Sequence, residues 1–226
     1  MFERTKNNVM SVIFVVALVL FIIAASIALP IYWRDFYYFH VDVFNMPEET
    51  GYTREEIVEA FDEVMDYLTV KGTEFGTGVL KYSEEGKSHF EDCKALFDLN
   101  TYALIFFVSA LILLIIVDKI GLISLARPCG FRLSFWASVV TLGLFGLLGV
   151  IVASDFSSAF TVFHQLFFPG KDNWVFDPRT DEIIRVLPQS YFMSCATLIC
   201  ASVIILSTVF IIRAIIKRSN DYAWRI

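Results

Sequence analysis

The 226-residue sequence predicts a mainly α, polytopic membrane protein: four transmembrane helices with a small extracytoplasmic cap of amphipathic helices and short strands. Three observations carry that expectation. Apolar residues make up 57% of the chain and charged residues only 19%, a balance unlike that of a water-soluble domain. The apolar residues gather into four runs, 9–29, 99–117, 133–153 and 191–212, that contain no Asp, Glu, Lys, Arg or His. Each run is close to the ~20 residues with which a helix crosses ~30 Å of hydrocarbon. Finally, basic residues collect on the short segments, which fixes an orientation.

Arg4 and Lys6 precede the first span. Lys119, Arg127 and Arg132 lie between the second and third, and Arg213, Lys217, Arg218 and Arg225 follow the fourth. Lys and Arg are retained on the cytoplasmic side, so these three segments and both termini are expected there. The loop 30–98 carries 16 acidic residues against 6 basic ones, the loop 154–190 is also net acidic, and both are expected outside. The first span is long for a signal-peptide core and reads as an uncleaved anchor, although Ser26, Ile27 and Ala28 resemble a cleavage site. The first cysteine, Cys93, lies too far beyond that span for the chain to be a lipoprotein precursor. With no internal repeat or low-complexity linker, residues 1–226 read as a single membrane domain.

In the first loop, the aromatic and β-branched stretch 35–43 (DFYYFHVDV) predicts a short strand. Thr53 with Glu56 forms a capping box, and Ile57, Val58, Phe61, Val64, Met65 and Leu68 follow at helical spacing. Gly72, Gly76 and Gly78 mark an irregular connection. A second capping-box pattern, Ser88 with Glu91, predicts a helix start that puts His89 in the first turn, where the helix dipole disfavours imidazolium. The third loop opens with Phe156, Ala159, Phe160, Phe163 and Phe167 on one face of a helix continuing from the third span, an aromatic stripe suited to lipid headgroups, with His164 at its edge. Pro169 and Gly170 end that helix, Trp174 to Phe176 read as a short strand, and Asp177 with Pro178 as a turn.

Several function classes are excluded. Spans without ionisable side chains argue against a proton pump or a charged-solute transporter. Gly143, Gly146 and Gly149 in the third span suggest close helix packing. The four cysteines do not form a disulfide framework, since Cys93 is expected outside, Cys129 inside, and Cys195 and Cys200 in the fourth span. The three histidines, His40, His89 and His164, show no metal-ligand spacing with them, so no metal, no other cofactor and no nucleic-acid partner is expected. His40, among aromatics, reads as a packing residue, and so does Cys93.

The block FHQLFFPGKDNWVFDPRTDEIIRVLP, residues 163–188, closely resembles a bacterial integral membrane family that includes the lipoprotein intramolecular transacylase of Gram-positive bacteria. The shorter SHFEDCKALF, with His89, Asp92, Lys94 and Phe97, resembles that family's other signature and occurs in the same order. Cys93 departs from the pattern, where a small aliphatic residue such as valine is expected. The resemblance implies an acyltransferase that moves the sn-2 acyl chain of a diacylglyceryl-modified lipoprotein to the α-amine of its N-terminal cysteine, giving a lyso-form lipoprotein. It also implies diacylglyceryl lipoproteins and membrane lipid as partners, His89 and His164 as catalytic residues, and Asp92, Gln165, Lys171, Asn173, Trp174 and Asp177 as binding or supporting ones.

That chemistry suits the composition. The attacking amine belongs to the substrate, so no serine or cysteine nucleophile is needed, whereas one proton must be taken from the amine and one given to the departing glycerol oxygen. Two histidines suffice, in either assignment of roles. Lys171, Asn173, Trp174 and Gln165 are candidate donors to the oxyanion. The competing reading is a non-catalytic assembly or ligand-binding membrane protein whose cap holds a partner. A tetraspanin or claudin reading fails for want of the cysteine signatures of their outer loops.

Overall fold

The computed structural model describes residues 2–223, with side chains described for 4–219. Arg225, counted above among the basic residues, lies outside them. The chain runs α1 (Phe2–Tyr32), α2 (Arg34–Val43), α3 (Met46–Thr50), α4 (Arg54–Thr69), α5 (Glu84–Lys119), α6 (Leu133–Ser154), α7 (Phe156–Phe167), α8 (Ile183–Val186) and α9 (Gln189–Ala223). Four of these helices, α1, α5, α6 and α9, are long and apolar enough to cross a membrane. The chain divides into two compact units, Met1–Ala28 with Thr101–Val150 and Leu198–Ile226, and Leu29–Asn100 with Ile151–Thr197.

The first unit is the apolar one. Its core joins Ala17, Leu18, Val19 and Ile22 of α1 to Leu111 of α5, Ala137 of α6 and Val203 of α9, with Phe107, Phe145 and Phe210 packed around them. Outward, the same helices expose Leu113, Leu147, Val150 and Ile205, a surface matched to lipid tails rather than to water. The connection after α5 is tied to α1: Ser124 N–H donates to Asn7 Oδ1 (3.0 Å) and Ala126 N–H to Ser11 Oγ (2.9 Å), which satisfies loop backbone that no ladder serves. The close packing expected of Gly143, Gly146 and Gly149 is not found. A Cβ at any of the three would meet nothing within 4 Å, so these glycines face open space in the monomer.

The second unit holds the short helices. The capping box at Thr53 forms as expected, with Glu56 N–H donating to Thr53 Oγ1 and Thr53 N–H to Glu56 Oε2, and α4 buries Ile57, Ala60, Phe61, Val64, Met65 and Leu68. Against it lies α2, where a strand was expected. Tyr37, His40 and Val41 recur at helical spacing, and a helix buries all three. Tyr37 stacks on Phe61 at 3.7 Å and donates its hydroxyl to the Val186 carbonyl (2.7 Å). Arg34 pairs with Asp62 (3.0 Å) and Asp66. The second expected strand, at Trp174, is also absent: Val175 N–H bonds the Asp172 carbonyl (2.9 Å), a local turn. Among the described residues there is no strand.

Helix α5 starts earlier than the Ser88 pattern suggests. Ser83 provides the cap, its Oγ accepting from Gly86 N–H (2.9 Å), while Ser83 N–H and Oγ–H donate to the Asp181 carboxylate (2.8 Å each). Alongside, Glu182 N–H donates to the Lys81 carbonyl and Lys81 N–H to Glu182 Oε2, both at 2.9 Å. These bonds fasten the residues before α8 to the start of α5. Gly86 makes the approach possible, since a Cβ there would stand 2.1 Å from Asp181 Oδ1. Once begun, α5 is unbroken over 36 residues, about 54 Å at 1.5 Å per residue. Only ~30 Å of that length can lie in hydrocarbon, and the uncharged stretch begins at Leu99, so residues 84–98 precede the spanning segment.

Candidate active site

Two helical turns into α5, His89, Asp92 and Cys93 share a face by their i, i+3, i+4 spacing. Across from them α7 presents His164. That helix is new rather than a continuation of α6: Asp155 caps it, accepting from Ser158 N–H at 3.0 Å. The segment after α7 closes the third side with Phe168, Lys171, Asn173, Trp174 and Phe176.

The two imidazoles face each other with ring centroids 5.7 Å apart and planes at 33°. Both are buried, at 6% and 7% exposure. Phe168 (5.0 Å) and Phe176 (5.5 Å) meet His89 edge-on, and Trp174 stacks on His164 at 4.7 Å. His164 Nδ1 lies 2.7 Å from the Phe160 carbonyl. A carbonyl only accepts, so Nδ1 carries the hydrogen and Nε2 is left with the lone pair. The Nδ1 of His89 is buried without a hydrogen-bond partner among the described residues, and its Nε2 lies 3.4 Å from Cys93 Sγ.

Burial dominates the electrostatics. Desolvation, with a smaller contribution from His164, pushes His89 down to about 4 against the opposing pull of Asp92. Desolvation also lowers His164, partly offset by its bond to Phe160. Both rings are therefore neutral at neutral pH. The helix-dipole argument for His89 is replaced by burial, because His89 is the sixth residue of α5 and the dipole acts within the first turn. Asp92 is desolvated, which alone would raise it, but hydrogen bonds from Lys171 Nζ (2.5 Å) and Asn173 Nδ2 (3.1 Å) outweigh that and hold it ionised. The three form a latch between α5 and the 171–173 segment.

Of the residues marked in the sequence, the structure brings together His89, His164, Asp92, Lys171, Asn173 and Trp174. The Trp174 indole N–H donates to the Lys171 carbonyl (3.0 Å) and is occupied, so the ring serves by stacking. Gln165 is exposed and joins none of these bonds. Asp177 instead holds its own turn, bonded to Arg179, which keeps it down near about 2. His40 lies elsewhere in the unit, buried among Phe36, Phe44 and Tyr191. Sequence reasoning missed Phe168 and Phe176, although both lie within the block around His164, and it set Cys93 aside although its i+4 spacing from His89 was in view.

Four apolar helices and a pair of apposed neutral histidines define a polytopic membrane protein with a buried two-histidine pocket. The sequence model of the lipoprotein intramolecular transacylase Lit family matches residues 12–192, and the chain belongs to that family. It is therefore an acyltransferase. The fold is that of a solved structure of the membrane integral lipoprotein intramolecular transacylase Lit from Bacillus cereus, with a TM-score of 0.86 and 24% identity over 96% of this chain and 99% of that one. A second structure of the Bacillus cereus protein, carrying a histidine-to-alanine mutation, aligns at a TM-score of 0.79 and 23% identity over 96% of this chain and 97% of that one. No curated protein matches. Family membership sets aside the non-catalytic reading.

Proposed function

We propose that this transacylase moves the sn-2 acyl chain of a diacylglyceryl-modified lipoprotein to the α-amine of that lipoprotein's own N-terminal cysteine, with His89 and His164 as its catalytic residues. The observation that carries the reading is the pair of neutral rings 5.7 Å apart, one of them with a defined acceptor nitrogen. An α-amine of pKa about 7.7–8.0 is mostly protonated at neutral pH; only its neutral form attacks the ester carbonyl, and the nitrogen then has one proton to give up. His164 Nε2 is the acceptor. On the other side of the reaction the ester carbonyl oxygen needs a hydrogen-bond donor as negative charge develops on it, and His89, apposed to His164, is the side chain we assign to that role.

Amine and ester belong to one molecule, so holding them together supplies an effective concentration of about 10⁵ to 10⁸ M. Water is the competitor, because it would hydrolyse the ester, and Phe168, Phe176 and Trp174 around the histidines exclude it. The bias of Lys and Arg toward the short segments supports cytoplasmic termini and a site on the outer membrane face, where mature lipoproteins reside. Mass spectrometry of N-terminal lipopeptides from a host that makes diacylated lipoproteins tests the proposal. Cells expressing the protein are expected to yield peptides with one acyl chain on the cysteine nitrogen and one on the glycerol. Unchanged diacylglyceryl peptides, with the protein verified in the membrane, would refute it.

A further inference from the structure

Cys93 Sγ lies 3.4 Å from His89 Nε2, within reach of a sulfur hydrogen bond, one turn along the same helix. The other ring nitrogen, Nδ1, is buried and has no partner among the described residues. Around this pair stand His164 from α7, Phe168 and Phe176 from the following segment, and Asp92 on α5 with its partner Lys171. Burial pushes the Cys93 thiol up to about 12, so it keeps its hydrogen at neutral pH, and His89 is neutral. Between a thiol and a neutral imidazole, the bare ring nitrogen is a good acceptor and sulfur a weak one, so S–H donates to Nε2. The imidazole hydrogen then sits on Nδ1.

We propose that Cys93 is a positioning residue for acyl transfer: its S–H holds His89 in the Nδ1–H tautomer, which makes His89 the hydrogen-bond donor to the carbonyl oxygen of the ester under attack. This rests on the function proposed above and divides the labour between the histidines. The substrate nitrogen bonds to the carbonyl carbon while the π pair moves to oxygen, where His89 Nδ1–H stabilises it, and His164 Nε2 takes the amine proton. On collapse the C=O re-forms, the bond from carbon to the glycerol oxygen breaks, and His164 returns the proton to that oxygen. His89 and Cys93 keep their hydrogens throughout. A neutral imidazole is too weak an acid to release its proton fully, but it polarises a carbonyl effectively.

The test is ¹⁵N NMR of the full-length protein in lipid nanodiscs, with ring-labelled histidine and the His89 signals assigned by their loss in His89→Ala. The wild type is expected to show His89 protonated at Nδ1 and bare at Nε2. Cys93→Val should shift His89 toward the Nε2–H tautomer and lower kcat about 3- to 10-fold with KM little changed, short of the 10² or more that follows complete loss of an oxyanion donor. Cys93→Ser should restore both tautomer and rate, because a hydroxyl donates to Nε2 as the thiol does. If valine at 93 unfolds the protein, Cys93→Ala replaces it. A wild-type His89 protonated at Nε2, a valine variant that keeps tautomer and rate, or a serine variant as impaired as valine would each overturn the proposal. The tautomer is read without substrate, so failure of the proposed function, seen as absence of lyso-form product from the wild type, is a separate result.

Discussion

Lowering pH should slow this enzyme in two stages, and where the second begins identifies the base. The substrate α-amine, with a pKa of about 7.7–8.0, must be uncharged to attack, so at pH 6 only about 1–2% of it is competent and kcat/KM falls tenfold per pH unit. His164 adds nothing to this first stage. Desolvation holds its pKa below the ordinary 6.5 and keeps Nε2 available, even with His89, Asp92 and Lys171 nearby. Only beneath that lowered value does protonation remove the base, and the slope should then steepen from one to two. His164→Ala should lower the whole profile by about 10² to 10⁴-fold, the usual worth of general acid–base catalysis, and abolish the second break. The assay follows lyso-form product from a synthetic diacylglyceryl lipopeptide in nanodiscs between pH 4.5 and 9. A second break that lies above pH 6.5, or one that persists in His164→Ala, would refute His164 as the base.

Three further outcomes are expected. Asp92→Ala breaks the bonds to Lys171 and Asn173; Lys171 is half-exposed and regains water, so the loss is about 1–2 kcal/mol, or 5- to 30-fold in activity, with faster hydrogen exchange over 168–176. Unchanged exchange and activity would show that the latch does not hold the pocket. Gly86→Ala should destabilise by about 1–3 kcal/mol and lower Tm by about 2–10 °C, even though alanine favours helix, because the new Cβ meets Asp181 Oδ1 and that carboxylate is held by Ser83 and Thr180; a Tm equal to wild type in detergent would contradict this. Reporter fusions at the C-terminus and within 119–132 should behave as cytoplasmic and those near Gly72 and Gly170 as external, and an external C-terminus would overturn the topology.

The four long helices were legible because each hydrophobic run is a one-dimensional signal: length against bilayer thickness, with no partner needed. Helix α4 was legible for a related reason, since its cap and its apolar stripe both lie within one stretch of chain. The strand expected at 35–43 failed where that locality ends. Aromatic and β-branched residues favour strands on average, yet Tyr37 packs on Phe61 and Tyr191, and His40 on Tyr191, distant positions that sequence periodicity alone does not weigh. The start of α5 was misplaced in the same way. Ser88 with Glu91 has the local form of a capping box, but Ser83 wins because Asp181, 98 positions on, accepts from it.

The histidines show where sequence reasoning must stop. His40 and His164 make the same local bond, Nδ1 to the carbonyl four residues earlier, at 2.6 and 2.7 Å, and both are buried among aromatic rings. Nothing within four residues of either sets the two histidines apart. The difference lies across the fold: His40 looks onto Phe36, Phe44 and Tyr191, which have no acid–base chemistry at neutral pH, whereas His164 looks onto a second imidazole whose own buried nitrogen has no protein partner. A buried polar atom left without a bond is costly in a finished core, by about 1–3 kcal/mol. Its persistence beside His164 and not beside His40 is what a site for reacting atoms requires, and it is a property of two distant segments that only the fold brings together.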